Sequence, residues 1–507
     1  MGVGHLSRCL CLAEALRVRG CGSRFISREH EGHRLAQIER AGMRLAALAA
    51  PQPCSVGGSE DYVAWLGVTQ AQDAAESISA LAGERPDWLV LDHYGLGGDW
   101  ERALRPHTEH LMVIDDLANR THECDLLLDQ NFSRSMDERY SGMVPADCRL
   151  LLGPRYALLG ADYARHRLHE PRRDGVETVF VFFGGSDPDN LTGAALEALE
   201  LPSLRHLKAD IVIGANNAHR LQLQRRAAER PGTAVHGPRP HLADLMSRAD
   251  LAIGAAGTTT WERMCVGLPS LVVSIAENQR LGAEALAEDG LIQYLGAAQD
   301  VGSAELAEAM EGILAGKQDL AEQSLRSRLM VDGLGALRAA ECMDPTARRQ
   351  LRLREARAQD AELFFAWVNE AQVRRQSLNS AQIRWIDHQL WFRSKLGDAR
   401  SRMYVMEAKS LPVGQVRFDI TDGEARIDYS IDAPFRGRGW GRSVIALGMR
   451  RLIEGQRIIF RGDVKASNPA SSAVFARLGF HESASQDPSG LKVFRFDPGL
   501  QTLPEID

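Results

Sequence analysis

A chain of 507 residues is too long for a single hydrophobic core and predicts two or three domains. Its composition (44% hydrophobic, 25% charged, net charge −7) is that of an ordinary globular protein and argues against general binding to nucleic acid or to anionic membranes. Any phosphate must therefore be met by local devices, such as backbone amides and single arginines. Eight cysteines, at positions 9, 11, 21, 54, 124, 148, 265 and 342, form no CxxC pair and no zinc spacing, so they read as reduced thiols and no metal is expected. No basic-then-apolar leader opens the sequence, and apolar runs such as Thr178–Phe183 are strand-length, so a cytoplasmic protein is expected.

Up to about residue 345, short apolar runs alternate with helix-period segments. Strands are expected at Trp88–Leu91, Leu111–Ile114, Leu126–Leu128, Thr178–Phe183, Asp210–Ile213, Leu251–Ile253 and Ser270–Val273. Such alternation predicts parallel sheets covered on both faces. Gly153–Gly175, with two Pro and many Arg and His, reads as a connection between two doubly wound halves whose cleft suits a nucleotide sugar. A second boundary falls at Met343–Gln350, giving expected domains at 1–152, 153–343 and 351–500. Beyond it the pattern becomes α+β with a mixed sheet. A helix is predicted at Asp360–Glu370, strands at Met403–Glu407, Gly414–Asp419 and Ala425–Ile431, and a long helix at Gly441–Glu454. Strand Ile458–Val464, helix Ala470–Leu478 and strand Leu491–Phe496 follow.

The opening stretch Gly2-Val3-Gly4-His5-Leu6-Ser7-Arg8 runs into a helix pattern at Cys9–Arg19. Glycines before a helix start admit a ligand to the backbone, and the free N–H groups there favour anions. His5 in that turn is a candidate general base, and Arg8 a candidate phosphate partner. Asp92 and Tyr94 follow one strand and Asp115-Asp116 the next, at the carboxyl ends where parallel sheets hold ligands; a plain turn role remains open for each. Gly184-Gly185-Ser186-Asp187 and Gly254–Glu262 each set small residues between a strand and a helix, an arrangement suited to phosphate. Glu262 either favours the helix dipole or accepts two ribose hydroxyls.

Together the stretches GVGHLSRCLCLAEAL, LDHYG, IDD, CDLLLDQN, LLGPRYALL, FFGGSDPDNLTG, GAAGTTTWE and ENQ resemble the UDP-sugar hydrolases of pseudaminic acid biosynthesis. The resemblance implies two Rossmann-like halves of glycosyltransferase-B type. It also implies release of UDP from UDP-2,4-diacetamido-2,4,6-trideoxy-β-L-altropyranose without a metal. His5 would activate water, Asp92 and Tyr94 would lie beside the sugar, and Gly4, Arg8, Arg155, Gly185, Ser186, Thr259, Glu262 and Asn278 would complete the substrate site. Members of that family carry a strand and glycine loop ahead of the GxGH stretch. This sequence begins inside it, and a mis-assigned start is the expectation.

In the last third, Arg436-Gly437-Arg438-Gly439-Trp440-Gly441-Arg442 joins a strand to a helix, where exposed amides can grip a pyrophosphate. With Asp463–Asn468 and the later Arg477-Leu478-Gly479-Phe480, this resembles the GNAT acetyltransferases. The resemblance implies acetyl-CoA, held by Arg436, Arg438, Gly439, Gly441 and Arg442, with its pyrophosphate on Arg438–Arg442. The pantetheine would run along Tyr429–Ile431, near Asn468 and Ser472. A carboxylate at the strand splay is expected to deprotonate the acceptor amine: Asp463 by position, Asp428 as the alternative. Where many members carry a tyrosine acid this chain has Phe475. The aromatic-rich segment Asp360–Phe392 is expected near the acceptor, though most of its aromatics read as core.

The combined reading is a bifunctional enzyme that acetylates a UDP-4-amino sugar and hydrolyses the product. No nucleic acid or membrane partner is expected. Two other readings compete: a glycosyltransferase half that passes the sugar to an acceptor, and an acetyltransferase fold kept only as a binding module.

Overall fold

The computed structural model describes residues 3–30, 32–51, 62, 64–167, 175–344, 350–453, 458–483 and 491–502. Cys54 and parts of both expected linkers, 168–174 and 345–349, lie outside the described residues. The chain divides into two compact units, Met1–Ala340 and Glu341–Asp507.

The first unit opens with the helix Val3–Val18, six residues earlier than the pattern at Cys9 suggests. Its first six strands are β1 (Arg24–Arg28), β2 (Arg44–Leu48), β3 (Trp88–Leu91), β4 (His110–Ile114), β5 (Leu126–Asp129) and β6 (Arg149–Leu152). Strands β1 and β2 form a parallel pair, and β3 to β6 form a parallel sheet in chain order. Six more follow: β7 (Thr178–Phe182), β8 (Lys208–Val212), β9 (Thr233–His236), β10 (Leu251–Ala255), β11 (Ser270–Ser274) and β12 (Gln293–Ala297). They form a second parallel sheet in the order β12-β11-β10-β7-β8-β9. Both its faces are dry: Val179, Val181 and Ile253 pack into one core, Phe180, Ala252 and Val272 into another. A strand alternates sides residue by residue, so a continuous apolar run is what such a sheet requires.

The second unit holds β13 (Leu351–Glu355), β14 (Ser401–Ala408), β15 (Leu411–Thr421), β16 (Glu424–Ile431), β17 (Ile459–Lys465), β18 (His481–Ser483) and β19 (Leu491–Phe496). Their order is β13-β14-β15-β16-β17-β19-β18, a mixed sheet in which only β16 and β17 run parallel. That parallel pairing spans only Glu424–Ile427 against Ile459–Gly462; beyond it no further pairs form and the strands splay apart. Gly448 lets the helix Trp440–Ile453 approach the sheet, since a Cβ there would stand 2.7 Å from the Phe418 ring.

The expected architecture, two Rossmann-like halves followed by an α+β mixed sheet, is the one observed. Strands the pattern missed (β1, β2, β6, β9, β12, β13 and β18) are mostly short or carry charges, so they lack the apolar run that marks a central strand.

Candidate active sites

The first site forms where the helix Val3–Val18 crosses the carboxyl ends of β3 and β4. His5, Arg8 and Cys9 are spaced three and four apart, so a helix puts them on one face. This corrects the expectation of a glycine turn: His5 stands in the first helical turn. Its Nδ1 lies 2.6 Å from Asp92 Oδ1. Arg8 clamps the same carboxylate with Nε at 2.7 Å and a terminal nitrogen at 2.6 Å, and reaches Asp116 with the other at 3.0 Å. The Cys9 thiol donates to Asp92 at 3.3 Å. Burial works against the Asp92 charge, but Arg8 and His5 outweigh it and hold the carboxyl well below the usual range. An ionised Asp92 accepting from Nδ1 leaves His5 Nε2 as the basic nitrogen. Tyr94 stacks edge-on against His5 at 4.6 Å; burial and the Asp116 charge push its pKa up, so its hydroxyl stays protonated.

Asp116 completes this cluster; the sequence places the Asp115-Asp116 pair at the crevice but does not tell the two apart. The adjacent aspartate turns the other way: Asp115, fully buried, accepts from Tyr140 Oη at 3.1 Å and meets Arg120 at 2.8 Å. Beside it His122 Nδ1 lies 2.6 Å from the buried Glu101. Burial opposes charge on His122, yet hydrogen bonds to Asp115 and Glu101 carry its pKa up to about 9, so the imidazole is held as a cation. Tyr140 Oη also lies 3.1 Å from Asp129 Oδ2, whose carboxyl burial raises to about 6. This layer braces the turn that presents Asp116.

The second sheet faces the same region. Its strand order reverses between the paired strands β7 and β10, the point at which a crevice opens outside the carboxyl ends. Gly4 belongs to that contact: a Cβ there would stand 2.9 Å from Thr258 Oγ1, just after β10. Glu262 follows on the helix Thr259–Cys265; burial raises its carboxyl to about 7 against a hydrogen bond from Tyr163. Its Oε2 is buried and has no hydrogen-bond partner among the described residues. Thr259 Oγ1 accepts from the buried Arg263 at 3.3 Å. Asn278 is exposed near the start of the helix Glu277–Glu288.

In the loop after β7, Asp187 is buried and takes the amides of Leu191 and Thr192 at 2.9 and 3.0 Å, so the following helix start is capped by a side chain of the same loop. Gly185 and Ser186 remain at the crevice, the first half-buried with its carbonyl accepting from Asn216, the second exposed. Arg155 sits on a short turn after β6, where its carbonyl accepts from Arg338 and its charge helps keep Asp332 ionised.

In the second unit the glycines of the 436–442 loop take left-handed backbone, Gly437 at φ 77° and Gly439 at φ 82°, which side chains rarely adopt. The arginines are engaged elsewhere. Arg436 reaches the Ile431 carbonyl, Gln372 and Glu370 at 3.0, 2.8 and 2.7 Å. Arg438 lies over the rings of Phe435 and Trp440 and near Glu341. The main chain enters the helix at Trp440, with Gly441 and Arg442 half-buried in its first turn. Tyr429 packs beside Gly441 and its hydroxyl lies 3.0 Å from Ser471 Oγ, while Ile431 ends β16. Asn468 caps the helix Pro469–Arg477 through the Ser471 amide at 3.1 Å, and Ser472 bonds back to the Asn468 carbonyl.

Of the two candidate bases, Asp463 has both oxygens engaged, by Arg461 at 2.8 Å and Arg426 at 3.0 Å. Asp428, the first residue past the splay, is exposed and accepts from Gln415 at 3.0 Å. Phe475 is core: it stacks on Phe494 and lies flat against Gly462, whose missing side chain makes its room. Phe364, Trp367 and Phe392 are core as well, and Trp391 lies under Arg417.

Among the described residues no group of three or more His, Cys, Asp or Glu is placed to hold a metal, and no helix is long and apolar enough to cross a membrane.

Comparison with known proteins matches residues 178–334 to the glycosyltransferase family 28 C-terminal domain and residues 350–481 to the acetyltransferase (GNAT) domain. A UDP-2,4-diacetamido-2,4,6-trideoxy-beta-L-altropyranose hydrolase of Campylobacter jejuni is 26% identical over 216 residues, 42% of this chain and 76% of the relative. The spore coat polysaccharide biosynthesis protein SpsG of Bacillus subtilis is 25% identical over 264 residues, 52% of this chain and 77% of the relative. A structure of AAC(6')-Ib in complex with Parmomycin and acetyl-CoA is 19% identical with a TM-score of 0.27, covering 29% of this chain and 92% of that one.

Proposed function

We propose, for a chain whose N-terminal region resembles the UDP-sugar hydrolase and SpsG family and whose C-terminal region is a GNAT acetyltransferase domain, two successive reactions on one sugar nucleotide. The chain is an enzyme; its second unit acetylates the 4-amino group of a UDP-amino sugar, and its first unit hydrolyses the product to UDP and free sugar. The likeness to the altropyranose hydrolase supports a place in pseudaminic acid synthesis. Three domains, 1–152, 153–343 and 351–500, carry these roles.

The carrying observation is the Arg8–Asp92–His5 cluster facing the crevice at β7 and β10. His5 Nε2 takes a proton from water as the oxygen attacks the anomeric carbon. UDP leaves with the bond electrons, a departure that needs little help because its charge is spread over the pyrophosphate. Asp92 fixes the His5 tautomer, and Arg8 fixes Asp92. Tyr94 hydrogen-bonds the sugar, Glu262 accepts the ribose hydroxyls, and Gly185, Ser186, Thr259 and Asn278 border the nucleotide; Gly4 permits the close approach to Thr258.

In the second unit acetyl-CoA supplies the acyl group. Its pyrophosphate rests on backbone amides of residues 437–442 and its pantetheine runs along Tyr429–Ile431. Asp428 takes the amine proton; Asp463, doubly bound by arginine, supports the sheet instead. The test is to supply the UDP-amino sugar with acetyl-CoA and follow thiol and UDP. UDP without any added sugar acceptor is expected; a requirement for an acceptor overturns the hydrolase reading in favour of a glycosyltransferase.

A further inference from the structure

His93 stands between Asp92 and Tyr94 and is itself 7% exposed. Its Nδ1 accepts from the Gly95 amide at 2.9 Å, which sets the proton on Nε2. Burial first, and then the charge of His5, push its pKa down to about 3, so the ring is neutral. Nε2–H is therefore a buried donor, and it has no partner among the described residues. Buried donors are almost always satisfied, and one orphaned beside a reactive cluster calls for an acceptor from outside the protein. Phosphate fits poorly, because a dianion seeks charged or backbone donors. A carbonyl fits well: it accepts from a neutral N–H without bringing a charge into the site.

We infer that His93 Nε2–H donates to the carbonyl oxygen of the newly added acetamido group, so that the first unit selects acylated sugar nucleotide over its free-amine precursor. This rests on the function proposed above. An ammonium in the same place offers only donors, leaving Nε2–H and its own protons unpaired.

The test compares kcat/KM for UDP release from the diacetamido nucleotide and from its 4-amino precursor, in wild type and three variants. Wild type is expected to prefer the acylated nucleotide by about 10²-fold or more. His93→Met and His93→Asn lack a donor at the ε position and should lose about tenfold or more on the acylated nucleotide, with under about twofold change on the amine. His93→Gln, which restores an N–H there, should recover most of that loss. His93→Asn can still accept from the Gly95 amide, so wild-type behaviour in that variant would assign His93 to the turn and overturn the inference. Equal losses on both nucleotides, or a His93→Gln as impaired as His93→Met, would also overturn it. The affinity for UDP alone should not move in any variant. A wild type that releases UDP from neither nucleotide overturns the hydrolase reading itself, and this role with it.

Discussion

The two proposed sites are built by opposite means. In the first, motif side chains face the reaction: His5, Arg8 and Asp92 form one charged cluster, braced from below by Asp115, His122 and Glu101. In the second, two of the motif arginines pair within the protein, Arg436 with Glu370 and Arg438 with two rings, and the proposal gives the ligand to the glycine main chain. A motif letter marks a position that matters; only its partners tell whether it holds a ligand or a loop.

The contrast breaks most sharply at His5. His5→Gln should lower kcat for UDP release about 10²–10⁴-fold, with acetyl transfer by the same preparation unchanged. Next comes the cradle. Gly439→Val forces a branched side chain into left-handed backbone and should raise the KM for acetyl-CoA by about tenfold or more, leaving UDP release intact. Arg438→Ala in that same loop should lower Tm while changing this KM by less than about twofold. If Arg438→Ala instead matches Gly439→Val, arginine grips the pyrophosphate and the contrast falls. Asp428→Asn should cost about 10²-fold in acetyl-transfer kcat, and Asp463→Asn clearly less.

The smallest effects lie at Glu262, whose carboxyl burial raises to about 7. Ribose hydroxyls bond its ionised form, so UDP should bind tighter as pH rises through 7 in wild type, and with a flat profile in Glu262→Gln. Stability runs the other way. A carboxyl whose folded pKa lies above its unfolded value stabilises most below the unfolded value, and that gain is lost as pH rises through the folded one. Glu262→Gln should therefore raise Tm above pH 7 relative to wild type, with the advantage vanishing in acid; calorimetry across that range checks it.

Much of this was legible in the sequence. Continuous apolar runs announced β3, β4, β5, β7, β10 and β11, because a strand buried on both faces leaves no polar position to confuse the pattern. The glycine loop at 436–442 and the separate segments that carry His5 and Asp92 were likewise visible as motifs. Direction was not. Whether Asp115 or Asp116 turns toward Arg8 depends on the turn after β4, and neighbouring aspartates look alike in sequence. Asp187 reads as a phosphate-loop residue until its oxygens are seen on the amides of Leu191 and Thr192. That Asp463 pairs with both Arg426 and Arg461 follows from their sharing one sheet face, a fact set by strand register. The helix start was missed because two glycines before a histidine suggest a turn, whereas the chain is helical from Val3.

The most direct test of the central claim is a single reaction mixture holding the protein, the UDP-4-amino sugar and acetyl-CoA, with free thiol and UDP followed together. The account predicts thiol first, UDP after a lag, equal final amounts of the two, and little UDP when acetyl-CoA is withheld. Prompt UDP release without acetyl-CoA, or thiol release never followed by UDP, would contradict two reactions acting in series on one sugar.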